Sequence, residues 1–483
     1  MEMSCRDLWV AGAFAVLASW SMGADAQTFR TQCPTTTSLH PAPGVGKGAI
    51  KCQEIAGGDG FATMADGTQT YLFGFGPLSG RDLIDQGLPG TQTAADFHRR
   101  LYDKAGNPLN PNGAAVAPQE IMNLGVLSAQ QPAPLMAIDE DDEFFLTLSN
   151  VGMIMRPDLF EQHTVHFHGY PNASSFFDGV PDASVAINIH GSFTYYYTAP
   201  DAGTYFWHCH ITPPEHLQMG MVGQLYVRPR QNRVTGDLGI ALMQANKVAA
   251  VDPLATGKSC SDILCTGQTP LPAKADPTTG ATGVVGTAGK MYAYNDGDGS
   301  TRYDVEYPLQ LMGFDPNFHY VGMTFNPEGF ADMKDKHFMI SGRSYPDTIS
   351  PANLQTKGAD GATRTSQPVR SMITMTQGQR ALLRISELTV TEFHTIATLG
   401  IPMTVIAQNA RLLRDTAGNN LYFNTNSITL GGGESADVIL DSTNVPPGTY
   451  FLYTTNLDHL SNDAENFGGQ MTEIQVLAAG STL

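Results

Sequence analysis

Short stretches in which apolar and polar residues alternate recur along this chain, and their period of two predicts strands rather than helices. The pattern appears at residues 67–75, carried by Thr68, Thr70, Tyr71 and Phe73. It returns at 134–138 and 144–150, on either side of an acidic turn at 139–143. Residues 192–197, 203–207 and 224–227 continue it. Helical signals are few, confined to 94–104 and 238–248, with a turn at 107–111. Residues 27–60, rich in Thr, Pro and Gly, read as an N-terminal tether. Gly, Pro, Thr, Ala and Lys dominate 231–288, which reads as a linker or insertion. An all-β protein with two bodies, 61–230 and 289–483, is the expectation.

The second body repeats the first. His163-Thr164-Val165-His166-Phe167-His168-Gly169 is echoed by His394-Thr395-Ile396-Ala397-Thr398-Leu399-Gly400. Gly203-Thr204-Tyr205-Phe206-Trp207-His208-Cys209-His210 is echoed by Gly448-Thr449-Tyr450-Phe451-Leu452-Tyr453-Thr454-Thr455. The β framework survives in the copy while the reactive side chains are replaced.

Composition narrows the picture. With 50 Gly, 30 Pro and 15% charged residues in 483, the chain suits turn-rich β structure and is long enough for two or three cores. A net charge of −19 argues against nucleic acid or an anionic membrane as partner, since both require a basic face. Residues 8–20 are apolar, and Ala24-Asp25-Ala26 before Gln27 reads as a cleavage site, so 1–26 is expected to be a signal peptide. The n-region fits poorly, Arg6 being offset by Glu2 and Asp7. The apolar run falls short of the roughly 18 residues a membrane span needs, and no later segment reads as one. A periplasmic or secreted location follows. Cys5 leaves with the signal, and Cys33 with Cys52 and Cys260 with Cys265 pair by proximity. Cys260 and Cys265 also resemble half a zinc site, but no second half lies nearby. Cys209 is left over.

Seven of the thirteen histidines fall between His163 and Met221. A type 1 (blue) copper centre needs two imidazoles and a thiolate in one plane with a weak axial thioether, and His163, Cys209, His216 and Met221 supply that set. Cys-x6-His-x4-Met puts three ligands on one loop, and His163 arrives from elsewhere.

This stretch resembles the copper-binding part of multicopper oxidases and copper nitrite reductases. His-x-x-His-x-His-Gly followed by His-Cys-His is that superfamily's signature, and the match covers about 134–228. The resemblance implies two cupredoxin-like Greek-key β-sandwiches, the second without type 1 ligands. It assigns His163 to the blue copper and places the axial sulfur at Met221 rather than Met219. It also implies a second, type 2 or type 3, copper site at His166, His168, His208 and His210. His208 and His210 would carry electrons to it.

In the family a trinuclear cluster takes four histidines from each of two domains, and the second domain here has lost its four. Three readings follow. The first is a laccase-like oxidase passing single electrons from a small-molecule or metal-ion reductant to dioxygen, with His394 or His459 of a neighbouring subunit completing the second site. The second resembles nitrite reductase, with copper held by His168, His208 and a neighbour's histidine, although His166 stands where that family has aspartate. The third is a non-catalytic blue-copper electron carrier. Two-domain relatives work as trimers, so a homotrimer is expected. His40, His98, His190, His319 and His337 have no motif context and read as structural or surface residues.

Overall fold

The computed structural model describes residues 29–41, 48–99, 118–170, 174–233, 291–296, 299–322, 329–358, 360–415 and 419–481. The signal segment, the helix expected at 238–248, Cys260 and Cys265, and most of the linker lie outside them.

Alternation does what the pattern predicted. Two sheets form the N-terminal sandwich. One runs in the order Gln69–Pro77, Ile50–Thr63, Glu143–Gly152, Ser192–Thr198. The other runs Met136–Asp139, Val222–Arg228, Gly203–His208, His166–Phe167. Tyr195, Tyr197, Tyr205, Trp207, Leu146, Leu148 and Leu225 point inward and fuse the sheets into one core. The C-terminal sandwich has the same logic, with Val305–Phe314, Arg380–Glu387, Ser435–Asp441 and Met403–Gln408 in one sheet. Ile373–Thr376, Met471–Leu477, Gly448–Thr454, His394–Leu399 and Ser427–Leu430 make the other. Parallel pairs recur at matching places: Ile50–Thr63 with Glu143–Gly152, and Val305–Phe314 with Arg380–Glu387. Among the described residues no helix is long and apolar enough to cross a membrane.

The tether expected at 27–60 is corrected. Its last part is a 14-residue strand, Ile50–Thr63, paired on both sides inside the first sheet. Gly57, Gly58 and Gly60 hid it by weakening the strand signal. They are needed there because neighbours press close: a Cβ at Gly60 would lie 2.8 Å from the Ala129 carbonyl oxygen. The Cys33–Cys52 disulfide ties the segment before this strand to it. The helix expected at 94–104 begins as Ala94–Arg99.

Gly203–His208 is buried along its whole length because both its faces are covered. Tyr205 and Trp207 face the N-terminal core, while Phe206 packs with Met312 and Phe314 of the second sandwich. Thr204 donates to Asp437 at 2.6 Å, and Gln224 donates to the Arg384 carbonyl and to Ser386. The strand that delivers the reactive residues is thus clamped between the domains.

Candidate metal centres

Strand alternation separates the site residues into two groups. His166 pairs in register with His208, and Phe167 with Trp207. Phe167, Trp207 and Cys209 face the N-terminal core. His166, His168, His208 and His210 face the other way.

On the inner side, His163, Cys209 and His216 offer donor atoms that all lie within 4.8 Å of one another, and all three residues are buried. The Nδ1 atoms turn toward sulfur, at 4.0 Å from His163 and 3.3 Å from His216. The Thr164 amide also points at the sulfur, at 3.4 Å. Ligands bound at about 2.0–2.3 Å from one ion stand about 3.3–4 Å apart in a plane, so the spacing fits a single shared metal. One thiolate with two imidazoles in a dry pocket is a donor set for copper. Met221 and Met219 are both buried in this core, and the Cys209 amide donates to the Met221 carbonyl at 3.1 Å. Burial, with His216 close by, holds His163 well below its ordinary pKa. Burial also opposes charge on His216, but Cys209 and Glu161 outweigh it and push that imidazole up to about 9.

On the outer side, His166, His168 and His208 form a second group within 4.8 Å. The Nε2 atoms of His168 and His208 are 3.0 Å apart. His210 lies alongside, its ring 5.1 Å from His166 and 5.5 Å from His208. Three of these imidazoles are held from behind. His166 Nδ1 meets the Asp178 carbonyl at 2.7 Å, and His208 Nδ1 the Cys209 carbonyl at 2.6 Å. His168 is held by the backbone of Gly433 in the second domain. Burial, reinforced by His166, lowers His168 to about 4, and burial takes His208 well down. With the His208 ring bonded through Nδ1 to the Cys209 carbonyl and the His168 ring bonded to the Gly433 backbone, the two Nε2 atoms 3.0 Å apart are placed to share a cation. A surface pocket reaches this cluster, lined by His168, Phe206, Thr391, Glu392, Phe393 and Gly433.

His394 and His459 are brought to each other and not to this cluster. Their rings are 5.3 Å apart and both are buried in the second sandwich. His319 is packed against Phe314 with both nitrogens on backbone carbonyls.

Three contributors had little sequence signal. Glu161 places a carboxylate oxygen 3.5 Å from His216 Nε2. Gly57 and Gly433 leave room against His163 and His168, where a Cβ would lie 2.7 Å and 2.6 Å from the rings. Only the position of Glu161, two residues before His163, could have drawn notice.

A family model described as "Multicopper oxidase" matches residues 116–232, and a second with the same description matches 330–477. Laccase abr2 of Aspergillus fumigatus is 30% identical over 149 residues, 30% of this chain and 23% of that protein. Multicopper oxidase MCE of Talaromyces pinophilus is 32% identical over 108 residues, 22% of this chain and 16% of that protein. The matched stretch therefore spans less than a quarter of either relative. Blue copper oxidase from Nitrosomonas europaea superposes with a TM-score of 0.51 at 18% identity, covering 88% of this chain and 85% of that one. Multicopper oxidase mgLAC does so with a TM-score of 0.50 at 15% identity, covering 89% and 87%. At these identities the likeness establishes the fold.

Proposed function

This chain belongs to the multicopper oxidase family, and we propose that it is an exported, laccase-like oxidoreductase that takes single electrons from a small-molecule or metal-ion reductant and reduces dioxygen. Copper bound at the two candidate centres would supply the one-electron redox chemistry. Dioxygen becomes two waters with four electrons and four protons, so four reductant molecules are consumed per turnover.

One observation carries the reading: the two donor sets are joined by adjacent residues of one strand end. Cys209 belongs to the inner set and His208 to the outer, and the His208 ring is hydrogen-bonded to the Cys209 carbonyl. His163, Cys209, His216 and Met221 would hold the first ion in a pocket that excludes water. His166, His168, His208 and His210 would hold the second where the surface pocket admits dioxygen. Glu161, partly exposed and set against the outer nitrogen of His216, marks the edge a reductant approaches. Its charge, with −19 on the chain, favours a cationic reductant.

The Cys33–Cys52 disulfide supports an oxidising compartment. A homotrimer remains the expected assembly, and its interfaces would cover apolar side chains such as Phe393, Leu457 and Phe467, which are exposed on the single chain. Light scattering checks this, a monomer at micromolar concentration being the contrary result.

Oxygen uptake by the copper-loaded protein with a phenolic dye or a metal-ion reductant tests the main reading. Cys209→Ser is expected to abolish thiolate absorption near ~600 nm together with oxygen uptake. Nitric oxide formation from nitrite without oxygen uptake would replace the oxidase reading by the nitrite-reductase one.

A further inference from the structure

The second sandwich carries more than a faded sequence echo. Ala397 pairs with Tyr453 as His166 pairs with His208, and Tyr453 pairs with Met471 as His208 pairs with Val222. Position by position, Thr454 then stands for Cys209 and Gln470 for Met221. The backbone agrees: Thr454 donates to the Gln470 carbonyl at 2.9 Å, and Cys209 to that of Met221 at 3.1 Å. The imidazole pairs also match. His394 and His459 are 5.3 Å apart at 67°, against 5.4 Å and 61° for His163 and His216. Even the outer carboxylate is repeated. Glu392, two residues before His394, reaches His459 Nε2 at 3.3 Å, as Glu161 reaches His216 at 3.5 Å.

We propose that the second domain holds a thiolate-free metal site, with His394 and His459 as imidazole ligands and Gln470 as a neutral oxygen donor. The polar atoms around it are otherwise poorly served. His459 Nδ1, the counterpart of the His216 nitrogen that faces sulfur, is buried without a hydrogen-bond partner. So are Gln470 Oε1 and Glu387 Oε2. Buried groups of this kind are costly unless something satisfies them. The Gln470 amide nitrogen lies 2.8 Å from His394 Nδ1 and 3.3 Å from the Met339 carbonyl, so the side chain adjoins the imidazole and its oxygen is the atom left without a partner. Glu387 Oε2, 3.5 Å from His394 Nδ1, is a further oxygen at the edge of the set. Nitrogen and oxygen donors without sulfur suit a divalent ion such as Zn²⁺, and they give no thiolate absorption. The site would be colourless and redox-silent beside the one built on Cys209.

Zinc uptake by the full chain, dialysed against Zn²⁺ before copper is added, tests this without reference to oxidase activity. After equilibrium dialysis, the parent is expected to retain one zinc per chain more than His459→Gln, with equal circular dichroism and, once copper is added, equal blue absorption. A near-isosteric second variant tests the geometry. Thr454→Cys in a Cys209→Ser background, loaded with copper, is expected to show a visible thiolate band that Cys209→Ser alone lacks. Equal zinc in parent and His459→Gln, or a folded but colourless double variant, overturns the assignment.

Discussion

Replacing Glu306 with Gln isolates the charge that locks the two domains together. Glu306 accepts from Arg228 Nη2 at 2.9 Å and from Arg384 Nε at 2.7 Å, and Asp437 lies 3.8 Å from Arg384 Nη1. All four side chains are buried, so two guanidiniums and two carboxylates balance in a sealed space. Gln preserves the shape but leaves one net positive charge there. Breaking one member of a buried ion pair costs about 3–5 kcal/mol, and Asp437 together with the amide oxygen puts this case near the lower end. At about 2–4 °C per kcal/mol for a body of this size, the melting temperature should fall by roughly 6–12 °C. Scanning calorimetry at pH 7 measures it. The pH dependence gives a second check. Burial alone would raise the Glu306 pKa, but Arg228 and Arg384 hold it below the ordinary 4.5. Its stabilisation is therefore complete above that value and is lost as pH falls through the lower folded value, so parent and variant should converge in acid. A melting temperature within one degree of the parent at pH 7 would refute the reasoning, showing that water already reaches the pair.

Glu54→Gln should remove a pH slope of the opposite sign. Burial raises Glu54 to about 7 from 4.5, so its contribution is complete below 4.5 and fades as pH rises through 7. Urea titrations should show the parent losing about 3 kcal/mol over that range and the variant losing nothing from this position. Gly57→Ala puts a Cβ 2.7 Å from His163 Cδ2, and copper titration is expected to show a displaced or weakened blue band. Gly433→Ala, at φ +87 and with its Cβ 2.6 Å from His168 Nδ1, should instead lose copper from the outer cluster while the blue band stays. Electron paramagnetic resonance with metal counting distinguishes the two glycines, and identical losses would sink the two-site separation.

Much of the site could be read along the chain because its chemistry is local. Cys209, His216 and Met221 lie within one short segment, and the strand period alone sends His208 and His210 to one face and Cys209 to the other. The repeat at 394–400 and 448–455 was equally legible, since replaced ligands leave the β pattern in place. The strand at Ile50–Thr63 was not, because glycines chosen for close approach give no alternation signal.

What the linear order determined is the donor chemistry: which atoms are soft, which are paired by spacing, and which copy had lost its sulfur. Tertiary structure alone decided who shares a pocket. It set Glu161 against His216, Gly433 behind His168, and His394 beside His459 instead of beside the outer histidines. These contacts join residues far apart in sequence, and they exist only because closing two sheets and docking two sandwiches bury apolar surface. That driving force is proportional to area and non-directional, so no local pattern announces which distant side chains it will bring together.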